Sequence, residues 1–228
     1  MKIGIGLVIG DVPKSVKNMF FENYGNMSIN IADILFVIDN TKDGIKDIIK
    51  TWKFQTISYI KNEDNSRNMS RDYQKILNMA RFYNCDWLFL LDIDEVLTGI
   101  IKEDVIEAIQ NNPGYESFGF TLYEMVNDFK HYIPLSKKQD FRVCHKLFKT
   151  SPHLFFNIYD KHGQCMPHNC PAGPILKSKL LHFGHFNKEL RDFKKKQYSS
   201  YVSDNNKDKE ELEAIWFKKN FEVKEIEL

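Results

Sequence analysis

The 228-residue sequence contains no apolar run near the ~20 residues needed to cross a bilayer, so any membrane contact is expected to be peripheral. Cysteine is scarce. Cys85, Cys144, Cys165 and Cys170 are too few for a disulfide framework, and reduced thiols in a cytoplasmic protein are the expectation. Neither sign of charge is in excess, and a net charge of +1 gives no reason to expect nucleic acid as a partner. The opening Met1 to Ile9 turns polar too soon for a signal peptide. Neither Gly-x-x-x-x-Gly-Lys-Ser/Thr nor Gly-x-Gly-x-x-Gly occurs, so the phosphate-loop and dinucleotide fingerprints are missing. There is no internal repeat and no low-complexity linker.

What is present is a globular composition, 43% apolar and 28% charged, with 18 Phe and 10 Tyr to fill a large core. The length fits one domain. The first hundred residues alternate between two periods. Apolar runs at 3–9, 34–38, 54–60 and 87–91 predict strands; helical spacing at 15–24, 45–52 and 70–83 predicts helices between them. This alternation predicts a mostly parallel α/β sheet with right-handed crossovers. A helix follows at 102–110. Strands are expected at 118–125, 142–148 and 176–183, and helices from Asn187 to about Val202 and over 207–221. Residues 151–174, dense in His, Cys, Pro and Gly, read as a site-building loop. The expected division is 1–98 for nucleotide binding, 99–186 for the acceptor side and 187–228 for closing helices.

The stretch that organises the rest is Asp86 to Thr98. Five apolar residues, Trp87 to Leu91, run straight into Asp92, Asp94 and Glu95. Such a run predicts a buried strand whose carboxyl end carries acid, the end where α/β sheets bind ligands. In extended chain Asp92 and Asp94 would point to the same side. Two such carboxylates repel unless a cation joins them; a divalent metal with a diphosphate as third party answers that need. Asp39 is expected at the same edge, either accepting from a base or ribose or shaping a turn. His182, closing a late strand three residues before His185, could complete an oxygen-rich metal site. His162, Cys165, His168 and Cys170 have the residue types of a zinc site, but packed too tightly for its usual split halves. Lys194-Lys195-Lys196 is either a solvated face or a reach back to phosphate.

Several of these stretches together resemble the GT-A-fold glycosyltransferases, family 2 type, of surface-glycan assembly. Phe36 to Gly44 resembles their second strand and Ser/Thr-x-Asp-Gly turn, and Trp87 to Glu95 resembles their Asp-x-Asp motif with a following Glu. Lys146-Leu147-Phe148-Lys149 resembles a basic-Leu-Phe-Arg stretch. His182, Lys194 and Tyr198 resemble a closing pattern spaced along one helix face. The resemblance implies a UDP-sugar or similar donor and a glycan or glycolipid hydroxyl as acceptor. It also implies Mn2+ or Mg2+ on Asp92, Asp94 and His182. Gly10, Asp11, Asp39 and Arg71 would hold the nucleotide, with Asp92 and Lys194 toward the diphosphate. Where such enzymes carry His-Glu, this chain has His162-Gly163, so Asp160 or His162 is expected to take the acceptor proton. Two other readings stand beside this one. Leu91 to Thr98 resembles the first motif of haloacid-dehalogenase-like phosphatases, although here it sits far from the first strand. A binding module without chemistry is the non-enzyme alternative.

Overall fold

Three strands buried along almost their whole length lie side by side because only a sheet covered on both faces can hold them. They are β1 (Ile3–Ile9), β2 (Ile34–Asp39) and β4 (Trp87–Asp92). The structure is a computed structural model that describes residues 1–13, 16–18, 20–21, 31–52, 54–63, 68–99, 102–134, 141–159, 166–199 and 223–226. With β3 (Thr56–Lys61) at the edge, these strands run parallel in the order β3-β2-β1-β4. Their register sets Val8 beside Asp92 and Ile9 beside Asp39, so both acids sit on one carboxyl edge.

Helices cover the two faces. Residues 16–18 and 20–21 are helical, with Val16, Phe20 and Phe21 buried. The short α1 (Lys46–Ile49) replaces the longer helix expected over 45–52. The N-terminus of α2 (Met69–Phe82) is capped by the Asn68 side chain, which accepts from the Arg71 N–H. The α2 stripe Tyr73, Ile76, Leu77 and Ala80 packs on Phe36, Ile38, Leu88 and Leu90. It lies so close to β1 that a Cβ on Gly6 would meet the Ile76 side chain at 2.3 Å. On the opposite face Leu7, Val37, Phe89 and Leu91 join a second cluster with Val105 and Ile109 of α3 (Lys102–Asn111).

Beyond β4 the sheet changes direction. β8 (Arg142–Lys149) pairs antiparallel with β4, and β6 (Ser117–Met125) pairs antiparallel with β8. Outside these lie β7 (His131–Ile133) and β10 (Lys224–Glu225). β5 (Glu95–Thr98) pairs with β9 (Ile175–His182), which also runs parallel to β6. The expected α/β architecture is therefore present, with its parallel order concentrated in the first half. The sequence pattern does not mark β5, β7 and β10 as separate strands. They are only two to four residues long and exist through pairing with distant segments. The 151–174 segment carries no strand among its described residues beyond the bridge Phe155–His168, as expected for a loop. α4 (Lys188–Ser199) closes the described part of this region; the helix expected over 207–221 lies outside the described residues. Among the described residues no helix is long and apolar enough to cross a membrane.

Candidate active site

The site is built on the turn that ends β4. Strand geometry stops at Asp92, residues 93 and 94 form a turn, and β5 begins at Glu95. The expectation that Asp92 and Asp94 point together therefore fails, because the two-residue alternation holds only in extended chain. Each carboxylate instead has its own cation. Asp92 Oδ2 lies 3.5 Å from Lys146 Nζ, and its Oδ1 accepts from the Tyr73 hydroxyl at 3.1 Å. Glu95 is 2.7 Å from the same Lys146 Nζ and accepts the Asp92 N–H at 3.0 Å. Asp94 Oδ2 takes Lys194 Nζ and faces His182 Nε2 at 3.5 Å. This arrangement answers the repulsion inferred from the sequence, with side chains from β8, β9 and α4.

Three strand ends converge on His182, whose register partners are Glu95 on β5 and Glu124 on β6. Its Nδ1–H donates to Glu124 Oε2 at 2.5 Å, and Arg142 Nη2 holds the other Glu124 oxygen at 2.8 Å. Burial opposes charge on His182, but Glu124 and Asp94 outweigh it and lift its pKa to about 10. Burial likewise opposes ionisation of Glu124, yet His182 and Arg142 bring it down to about 2. Asp94 is buried too, and Lys194 and His182 hold it well below the usual carboxylate range. Burial raises Glu95, with Lys146 opposing and Asp92 adding to the rise. His185 stays neutral: burial pushes its pKa down to about 4, against the pull of Glu124 3.9 Å away.

These shifts predict a stability optimum in the metal-free protein. His182 is raised above its ordinary 6.5, so its contribution is complete below pH 6.5 and lost as pH climbs toward 10. Glu124 is depressed from 4.5, so its contribution holds above pH 4.5 and is lost as pH falls toward 2. His185 adds to the acid loss, because the unfolded chain binds its proton between 6.5 and 4 while the folded one does not. Chemical denaturation with chelator present should therefore peak near pH 6.5 and fall on both sides. In Glu124→Gln the alkaline decline should shrink, since His182 loses its main counter-charge.

Lys194 reaches the site because Asn187 starts α4 in the right place. The Asn187 side chain accepts the Leu190 N–H at 2.8 Å, which fixes the first turn. Gly184 lies between. A Cβ there would sit 2.4 Å from His182 Cε1 and 2.7 Å from both His182 Nε2 and Lys194 Nζ. Only glycine leaves room for the imidazole and the ammonium to meet Asp94.

The expected nucleoside side is differently organised. Asp39 is fully buried, and its carboxylate accepts from Thr41 N–H (2.8 Å), Thr41 Oγ1 (2.7 Å), Ile45 N–H (3.1 Å) and the Tyr59 hydroxyl. As placed it shapes the 40–45 loop, the turn-forming alternative, and offers no free face to a base. Asp11 ties the neighbouring loop by accepting the Lys42 N–H at 3.1 Å, and Gly10 beside it borders open space. Arg71 Nε pairs with Asp72 at 3.0 Å. Asp72 in turn anchors a buried amide cluster, accepting from Asn40 at 2.9 Å and Asn62 at 3.3 Å. Asp160, His162 and Cys165 lie outside the described residues, as does the side chain of Tyr198. Cys85 and Cys170 are free thiols.

No protein-family model matches the sequence, and no curated protein matches it. Solved structures do match in shape. Staphylococcus aureus TarS superposes with a TM-score of 0.54 at 10% identity, over 95% of this chain and 43% of that one. TarS 1-349 gives 0.52 at 10% identity, over 92% and 68%. The fold is therefore similar to that of TarS, a GT-A glycosyltransferase. This chain spans less than half the length of the TarS chain it matches.

The donor set can be weighed against a divalent ion. Asp94 Oδ2 and His182 Nε2 face each other, and Glu124 orients the imidazole from behind, as outer carboxylates do for metal-bound histidines. Ligation through Nε2 would release its proton while Nδ1–H stays on Glu124. Among the described residues no group of three or more His, Cys, Asp or Glu side chains converges to hold a metal. Asp92, directed to Tyr73 and Lys146, does not join the pair. The described residues thus offer two ligands of suitable type, an oxygen and a nitrogen, which a bound diphosphate or water would complement.

From sequence, Lys146 is only one residue of a basic stretch, Glu124 one position in the strand expected at 118–125, and Tyr73 one position in the helix expected at 70–83. No local pattern assigns them these contacts, because each enters the site through strand or helix packing.

Proposed function

We propose that this chain transfers a sugar from a nucleoside-diphosphate sugar, a UDP-sugar first among them, to a hydroxyl of a glycan or glycolipid acceptor. One observation carries the reading: the acidic turn at the carboxyl end of β4, in a GT-A fold, meets Lys146, Lys194 and His182 at one edge. An anionic diphosphate needs cations held at fixed positions, and a sugar or ribose needs acceptors for its hydroxyls. Asp92 suits the second task. Its side chain keeps 28% of its surface open, and Tyr73 and Lys146 hold it from within. Lys194, midway along α4, would be the cation nearest the diphosphate. Asp94 and His182 would hold Mn2+ or Mg2+, which when bound supplies Lewis-acid stabilisation of the departing diphosphate. Asp160 or His162 would take the acceptor proton.

Calorimetric titration of the wild-type protein with UDP, with and without Mn2+, tests the reading, followed by a panel of UDP-sugars assayed for UDP release. Micromolar UDP affinity that strengthens at least about tenfold with Mn2+ is the expected result. Equal affinity with and without the ion would remove the metal from the proposal. No binding of any nucleoside diphosphate would remove the proposal itself.

A further inference from the structure

Lys146 sits at a break in the sheet. Phe118 pairs with Leu147 and Gly119 with His145, so Lys146 is the extra residue of a bulge in β8. The pairing between β4 and β8 also stops nearby, at Phe89–Leu147, leaving the last three residues of β4 without a β8 partner. Bulges re-aim side chains, and they gather near active sites for that reason. Here the bulge sends a lysine under the acidic turn. The ammonium is almost wholly inside the protein, with 5% of its side chain exposed. It lies 2.7 Å from Glu95 and 3.5 Å from Asp92. Glu95 closes the loop by accepting the Asp92 backbone N–H.

We infer that Lys146 and Glu95 form a positioning brace that fixes the Asp92 carboxylate for the nucleotide-sugar, a role aimed by the β8 bulge. This rests on the donor reading above and deepens it. The alternative is that Lys146 only neutralises a buried Glu95. The two roles separate because the Glu95 and Asp92 contacts involve different oxygens on different residues. If neutralisation were all, replacing both members of the Lys146–Glu95 pair with uncharged residues would restore function. A buried ion pair exchanged for neutral side chains of similar size is often tolerated, whereas removing one partner is not. If Lys146 also orients Asp92, the neutral pair would fold and still bind poorly.

The experiment uses UDP with Mn2+ as the probe and compares wild type, Lys146→Met and the double variant Lys146→Met/Glu95→Gln, with thermal unfolding of each. The single variant is expected to unfold at lower temperature, and for that reason the double variant decides. The expected result is a double variant of near wild-type melting temperature whose UDP affinity is about 10- to 100-fold weaker, the range that follows misplacement of a binding group. Adding Asp92→Asn to the double variant should then cost little more, since Asp92 is already out of position. A double variant that binds UDP like wild type overturns the brace while leaving the donor reading intact. Failure of the wild-type protein to bind UDP or any other nucleoside diphosphate would instead strike the donor reading, and the brace with it.

Discussion

Asp94→Asn is expected to abolish the Mn2+-dependent part of UDP binding and to reduce sugar transfer by about a hundredfold or more, the scale of losing a ligand from a catalytic metal. Asp94 is the point where Lys194 and His182 meet, and its carboxylate is a charge they share. Removing that charge leaves two cations facing each other inside the site. Stability should fall as well, by on the order of 3 kcal/mol if neither cation finds a new partner. Binding must therefore be measured below the unfolding transition. Two histidine variants sharpen the test. His182→Ala should lose the metal response, while His185→Ala, whose ring lies 3.9 Å from the same Glu124 oxygen and stays neutral, should keep most of it. The opposite ranking would move the metal from His182 to His185. Glu124→Gln should weaken Mn2+ by about 10- to 100-fold without abolishing it, the usual cost of losing an outer carboxylate.

Gly184→Ala should be nearly as damaging, although glycine carries no chemistry. The added methyl would overlap the His182 ring at 2.4 Å and Lys194 Nζ at 2.7 Å. The ammonium can swing away, but the ring is held by Glu124 on one side and Asp94 on the other. Something at the Asp94 corner must move. We expect the Mn2+-dependent gain in UDP affinity to fall at least about tenfold, with secondary structure unchanged, since displacement of a catalytic group by about 1 Å commonly costs that much or more. Gly114→Ala, which meets nothing within 4 Å, is the control and should behave as wild type. A Gly184→Ala protein with an intact Mn2+ response would show that His182 and Lys194 do not meet at Asp94 in solution.

Much of this protein is determined by its sequence alone. The apolar runs in β1, β2 and β4 have no stable place except a sheet covered on both faces, so the parallel half and its helices can be read directly. The helix start at Asn187 is legible for an equally local reason: its side chain caps its own first turn. The location of the acidic turn is equally local, because it follows from where an apolar run stops. The partners of that turn are not local. Lys194 reaches Asp94 across 100 residues and Lys146 reaches Asp92 across 54. Both distances are closed by strand pairing, by a bulge, and by helix docking. The sequence placed Asp92 and Asp94 on one side, and the turn between them separated them. Asp39 lies at the predicted edge, but the tertiary structure turned its carboxylate inward to its own loop. Local periodicity decides which residues lie along one strand or helix. Which charge meets which counter-charge depends on register between segments far apart in the chain, and only the folded sheet sets that register.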